Sequence, residues 1–152
     1  NHGDVNETAG DGLMVIFQTE GDRARHAVNA AAAAYQIQAR LVDLNREFEG
    51  VYPPVAIRVG INSGAAFVGA TKLDVAGGGR WTFTASGPTT NLAARIAALA
   101  KGGEIMVGPE TAERIKGNYV LEDTGERQLK NVSQPVRVFR LVPPGVYMKV
   151  AT

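Results

Sequence analysis

The chain has no cysteine, and only two histidines, His2 and His26, among its 152 residues. Without cysteine there is no disulfide framework, no thiolate zinc site and no thiol nucleophile. The two histidines are too few and too far apart in sequence to propose a zinc site, and no serine, histidine and aspartate arrangement suggests acyl transfer. An excess of one charge is lacking too: 16 basic side chains face 15 acidic ones, for a formal charge of +1. No basic face is advertised, which argues against nucleic acid as the main partner, so any polyanion must be met locally. Apolar runs such as Ala30 to Ala34 fall far short of the roughly 20 residues that span a bilayer, so no direct membrane contact is expected. The opening Asn1-His2-Gly3-Asp4 is polar and does not read as a signal peptide. These absences suit a cytoplasmic location. The first residue is not Met, and we read the chain as a piece of a longer product.

What is present describes one ordinary domain. Its composition is 45% apolar and 20% charged, and a length near 150 predicts burial of about 70% of the unfolded surface. Asp4–Thr8 and Leu13–Phe17 flank Ala9-Gly10-Asp11-Gly12, a hairpin signal with Asp11 at the tip. From Asp22 to about Phe48, apolar residues at Ala24, Ala27, Val28, Ala31, Tyr35, Leu41, Leu44 and Phe48 predict a long amphipathic helix. Gly50 and Pro53-Pro54 stop it, and Val55–Ile61 reads as a mostly buried strand. After the turn at Asn62-Ser63-Gly64, Ala65–Val68 resumes a strand. Lys72–Arg80, with Gly77-Gly78-Gly79, predicts a flexible excursion before a strand at Trp81–Ala85. Pro88 opens a helix to about Ala100 with Leu92, Ile96 and Leu99 as its core face. A strand at Ile105–Val107, a helix at Pro109–Lys116 closed by Gly117, and strands at Tyr119–Leu121 and Val136–Leu141 complete the chain. Such alternation implies an α/β (α+β) domain, a sheet covered by helices.

Each candidate site residue has a plain alternative. Asp11 between two glycines is either a turn residue or a metal ligand whose small neighbours let a phosphate and a hard cation approach. Asn91 and Arg95, four apart on one helix, project from a common face, as solvated surface groups or as a pair that grips a phosphate and a ribose oxygen. Lys130 is an edge charge or a distal phosphate contact. Gly64-Ala65-Ala66-Phe67-Val68-Gly69-Ala70-Thr71 superficially resembles a phosphate loop, but Ala70 stands where that motif needs Lys.

Taken together, Glu7-Thr8-Ala9-Gly10-Asp11-Gly12-Leu13-Met14-Val15-Ile16-Phe17, Arg58-Val59-Gly60-Ile61-Asn62-Ser63-Gly64, and Thr82-Phe83-Thr84-Ala85-Ser86-Gly87 with Asn91-Leu92-Ala93-Ala94-Arg95 resemble the class III adenylate/guanylate cyclase catalytic domain. Gly103-Glu104-Ile105-Met106-Val107 and Leu129-Lys130 through Pro135-Val136-Arg137-Val138-Phe139 extend the likeness, so it covers essentially residues 1–152. The resemblance implies a ferredoxin-like core, a head-to-tail homodimer with nucleotide sites built from both protomers, and two Mg2+ or Mn2+ ions. It also implies attack of the 3′-hydroxyl of a nucleoside triphosphate on the α-phosphorus with loss of pyrophosphate. Asp11 matches the second metal aspartate, Asn91 and Arg95 the transition-state pair, Glu7 and Thr84 the base-reading positions, and Lys130 a distal phosphate contact.

Several positions depart from the family. The strand and helix that would carry the first metal aspartate are missing, which implies a domain incomplete at its N-terminus or, alternatively, a catalytically incomplete pseudo-cyclase that dimerises or binds nucleotide. Pro88 and Thr90 replace the usual Asp and Val near the start of the helix. Glu7 suits the N1 and N2 donors of guanine, whereas Thr84 occurs among adenylate-type bacterial sequences. The signature is mixed. The prevalence of the adenylate type in bacteria tips the expectation to ATP and cyclic AMP in signal transduction, with GTP and cyclic GMP as the alternative.

Overall fold

The computed structural model describes residues 3–7, 11–18, 21–75 and 78–143, with the backbone alone for Glu7 and residues 71–83. In chain order the elements are β1 (Gly3–Glu7), β2 (Leu13–Phe17), α1 (Arg23–Glu47), β3 (Val59–Ile61), β4 (Phe67–Val75), β5 (Gly78–Ser86), α2 (Pro88–Leu99), β6 (Ile105–Val107), α3 (Pro109–Ile115), β7 (Leu121–Arg127) and β8 (Val136–Leu141). The expected mixed α/β architecture is observed.

Helix α1 starts where Asp22 caps it, its carboxylate accepting from the N–H groups of Ala24 and Arg25, each at 3.1 Å. Its alanines Ala27, Ala31 and Ala34 bring it close to the sheet. The central sheet runs β3-β6-β8-β7, with β3 parallel to β6 and the other neighbours antiparallel. Strand β6 is buried along its length because both faces are covered. Alternation divides its side chains. Ile105 and Val107 meet α1 and α3 in one cluster with Ile115 and Leu141, while Met106 meets α2 in the other with Ile96, Leu129 and Val138.

Four expectations need correction. Val55–Ile61 is a strand only at Val59–Ile61. Before it, helix side chains satisfy the backbone: Asn45 bonds both the N–H and the C=O of Val55, at 2.8 and 2.7 Å, and Gln38 donates to the Ile57 carbonyl at 2.9 Å. The excursion expected at Lys72–Arg80 is instead part of an antiparallel ribbon, β4 on β5, registered from Phe67 opposite Ser86 to Val75 opposite Gly78. Gly78 and Gly79 are tolerated because β-pairing supplies their order, and positions 76 and 77 of the expected excursion lie outside the described residues. Leu99 is exposed rather than in the core, since Ala100 takes the inward position at the end of α2.

The strand expected at Tyr119–Leu121 begins only at Leu121 and runs to Arg127. The Tyr119 ring packs 5.6 Å from that of Tyr35, and its amide bonds the carbonyl of Ile115 at the end of α3. Beyond it, ion pairs of Asp123 with Arg137 and of Glu122 with Arg140 hold β7 on β8. A register shift lies between Asp123 and Glu126, where Gly125 takes a left-handed φ of 84°.

Strands β1 and β2 pair only with each other among the described residues, and β3 has β6 on one side alone. A cavity of about 840 Å³ separates these unpaired edges, walled by Val15, Phe17, Ala30, Ile57, Val59 and Ile61.

Candidate active site

The placement of α2 decides where the Asn91–Arg95 pair points, and two glycines set it. A Cβ on Gly60 of β3 would lie 2.4 Å from the Ala97 nitrogen and 2.6 Å from the Ala93 carbonyl oxygen, so only a bare backbone lets helix and strand approach this closely. A Cβ on Gly108 would lie 2.3 Å from Asn62 Oδ1. With that space open, Asn62 Nδ2 donates to the Thr89 carbonyl at 3.0 Å. The Thr89 hydroxyl in turn donates to the Ala65 carbonyl, and the hydroxyls of Ser63 and Thr111 bond at 2.8 Å. The loop after β3 is thereby tied to the first turn of α2 and to α3.

From this fixed helix Leu92 and Ile96 face the core, Asn91 is exposed and Arg95 is half-buried. The division of faces follows the sequence expectation. Neither Asn91 nor Arg95 makes a side-chain hydrogen bond or ion pair among the described residues. A half-buried guanidinium without an internal acceptor is suited to an external anion. No side chain caps the start of α2, which begins at Gly87-Pro88.

Asp11 lies exposed in the turn between β1 and β2. Among the described residues no three His, Cys, Asp or Glu side chains converge on a possible metal position. One carboxylate is too small a donor set for a hard divalent cation, so the described residues do not by themselves fit the two-ion site.

Thr84, on β5, is exposed and accepts a hydrogen bond from Asn6 Nδ2 at 3.3 Å. Glu7 follows Asn6 in β1, so this bond brings the strand of one base-reading candidate onto the residue of the other. The Glu7 side chain lies outside the described residues. Lys130 is exposed beside Leu129, which is buried in the cluster under α2. Among the described residues no side-chain hydrogen bond or ion pair joins Asp11, the Asn91–Arg95 pair and Lys130 within one chain.

Sequence reasoning missed Asn6, Asn62, Thr89 and the packing glycines Gly60 and Gly108. Asn6 gave no signal, because strand alternation would turn the apolar Val5 inward and Asn6 outward, the reverse of what is observed. The scaffold holds the shifted titrations. The Lys101 N–H, with Arg140, holds Glu104 below the usual carboxylate range against the opposing effect of burial. Burial, with Tyr119 nearby, pushes Tyr35 up to about 12, and its hydroxyl donates to the Val142 carbonyl.

Comparison with known proteins gives this arrangement its family. Residues 4–142 match the model of the adenylate and guanylate cyclase catalytic domain, and the chain belongs to that family. A curated relative, putative adenylate cyclase 3 of Rhizobium meliloti (strain 1021), is 29% identical over 94% of this chain, which spans only 21% of that relative. The crystal structure of the adenylyl cyclase CyaB from P. aeruginosa superposes with a TM-score of 0.81 at 29% identity, covering 92% of this chain and 71% of that one. The guanylyl cyclase Cya2 superposes at 0.74 with 27% identity, covering 97% and 73%. The fold is therefore that of the class III cyclase catalytic domain. Among the described residues no helix is long and apolar enough to cross a membrane.

Proposed function

We propose that the chain is the catalytic unit of a nucleotide cyclase acting in signal transduction, converting a nucleoside triphosphate to its 3′,5′-cyclic monophosphate and pyrophosphate. The observation that carries this reading is the partnerless Asn91–Arg95 pair on a helix locked to the sheet. In the reaction the ribose 3′-hydroxyl gives up its proton to solvent as its oxygen bonds the α-phosphorus, the bond from that phosphorus to the bridging oxygen breaks, and pyrophosphate leaves with the electron pair. Arg95 meets the charge that grows on the α-phosphate, Asn91 holds the ribose, and Lys130 meets the distal phosphates. Their fixed placement spares reorganisation at the moment of reaction.

A homodimer fits the ribbon of β4 and β5, which pairs with no further strand among the described residues and leaves Phe67 80% exposed. In that dimer the pair on α2 serves the nucleotide whose metal side belongs to the partner. Magnesium or manganese would polarise the phosphate oxygens, with Asp11 as one ligand. The remaining oxygen ligands must come from outside the described residues. The open edges of β2 and β3 are where a further strand carrying such a ligand would be received, which is why we read residues 1–152 as part of one cyclase domain in a longer cytoplasmic protein.

ATP is the first substrate reading, supported by the adenylate cyclase names of the relatives. GTP is the second, favoured by Glu7 and by the hydrogen bond on Thr84. Incubation of a dimeric preparation with each nucleotide and manganese, followed by chromatographic product analysis, tests the proposal. Cyclic nucleotide with equimolar pyrophosphate is expected. Release of inorganic phosphate without a cyclic product would defeat the reading.

A further inference from the structure

Asn6 is a buried amide, 6% exposed, whose Nδ2 donates to Thr84 Oγ1. Polar groups at such depth are held because they are hydrogen-bonded, and this one spans 78 positions of sequence to reach an otherwise exposed hydroxyl. A threonine hydroxyl carries one proton and two lone pairs, and left to itself it rotates to suit whatever it meets. With one lone pair filled by the Asn6 N–H, the hydroxyl proton cannot point back at that amide. That leaves the hydroxyl its one proton and a single lone pair for any other partner, so its capacity to accept is halved while its capacity to donate is kept.

We propose that Asn6 is a specificity-determining positioning residue: by donating to Thr84 it makes that hydroxyl a hydrogen-bond donor toward the base and shifts nucleotide preference toward GTP. The inference rests on the cyclase reading and on the base-reading role of Thr84 within it. Guanine offers an acceptor at O6 beside donors at N1 and N2. A donor hydroxyl suits the first, and a carboxylate such as Glu7, the residue after Asn6, suits the other two together. Adenine carries an amino group where guanine has O6, and a hydroxyl with one of its two lone pairs already filled meets it less readily. The bias is that of one hydrogen bond, modest in size and read as a ratio between the two nucleotides.

The test is a pair of ratios on the full chain, measured for ATP and GTP: dissociation constants from competition against a fluorescent nucleotide, and kcat/KM from cyclic product. Asn6→Asp substitutes an acceptor that draws the Thr84 proton inward and turns lone pairs outward. The GTP to ATP ratio should then fall about five- to tenfold, the worth of one ordinary hydrogen bond. Asn6→Leu avoids a buried charge, frees the hydroxyl to rotate, and should lower the ratio less. In a Thr84→Ala background neither substitution should move it. A ratio unchanged in both single variants, or changed equally with and without the Thr84 hydroxyl, overturns the inference while leaving the cyclase reading intact. Failure of the full-length wild-type protein, with the complete catalytic domain, to bind or cyclise either nucleotide overturns both.

Discussion

The sheet around β6 and β8 and the hairpin of β1 and β2 spend apolar side chains in opposite ways. In the first, Val107, Val138, Ile96 and Ile115 are wholly buried, and helices cover both faces of the sheet. In the second, Val5 and Leu13 are 62% and 61% exposed, although β2, where Leu13 lies, is apolar throughout. One region is packed to be stable, and the other holds candidate chemistry beside open edges and a cavity. The lesson is that the groups proposed to act are not those that hold the fold. They are carried by α2, the hairpin, β5 and the segment after β7, whereas stability resides in side chains that meet no ligand.

Substitution at the deepest point of the packed region should have the largest effect. Ile115→Ala removes buried volume between α1, α3 and β8 and should cost about 2–5 kcal/mol, read as a lower urea midpoint with an unchanged slope. If the loss were below about 1 kcal/mol, the division between regions would fail. Arg95→Ala probes the other side. It should raise the barrier to cyclisation by about 3 kcal/mol, roughly a hundredfold in kcat, and leave the midpoint within about 0.5 kcal/mol. A protein that unfolds more easily but turns over normally would place Arg95 in the scaffold instead.

Gly60→Ala attacks the join between the regions. The new Cβ must push α2 off β3 against backbone atoms that cannot turn aside, at a cost of about 1–3 kcal/mol. Because α2 carries Asn91 and Arg95, the midpoint and kcat should fall together, and loss of only one would show that the helix does not transmit position. The smallest effect concerns pH. Tyr35 has its pKa raised by burial, so the native state retains a proton that the unfolded chain gives up. Its contribution is complete below the ordinary tyrosine value and is lost as pH rises toward about 12. Tyr35→Phe should flatten the alkaline limb of a stability profile and leave the limb below neutrality unchanged. A profile that keeps its slope would assign alkaline loss to other groups.

Much of the packed region was legible in the sequence. Ile105–Val107, Val136–Leu141 and the two helices opened by Pro88 and Pro109 fall where the residues placed them, because apolar period and proline position are local signals. The errors lie where backbone groups found distant partners. The segment before Val59 reads as a strand by its apolar residues, yet Asn45 and Gln38 satisfy its backbone from α1. The glycines at 78 and 79 read as a loop, yet β4 lies alongside them. At the candidate site, Asp11, Asn91 and Arg95 could be nominated from pattern and resemblance. Asn6 could not be assigned a role, because its partner Thr84 is reached only after folding.

The order of residues alone determined the helices and the strands of the packed region, the face of α2 that carries Asn91 and Arg95, and the family, since each depends on spacing along the chain. Tertiary structure decided that β1–β2 and β3 stand apart with a cavity between them, that bare backbone at Gly60 seats α2, and that a buried amide bonds the Thr84 hydroxyl. These depend on which groups, remote in sequence, compete for the same space and the same hydrogen bonds, and local pattern carries no record of that competition.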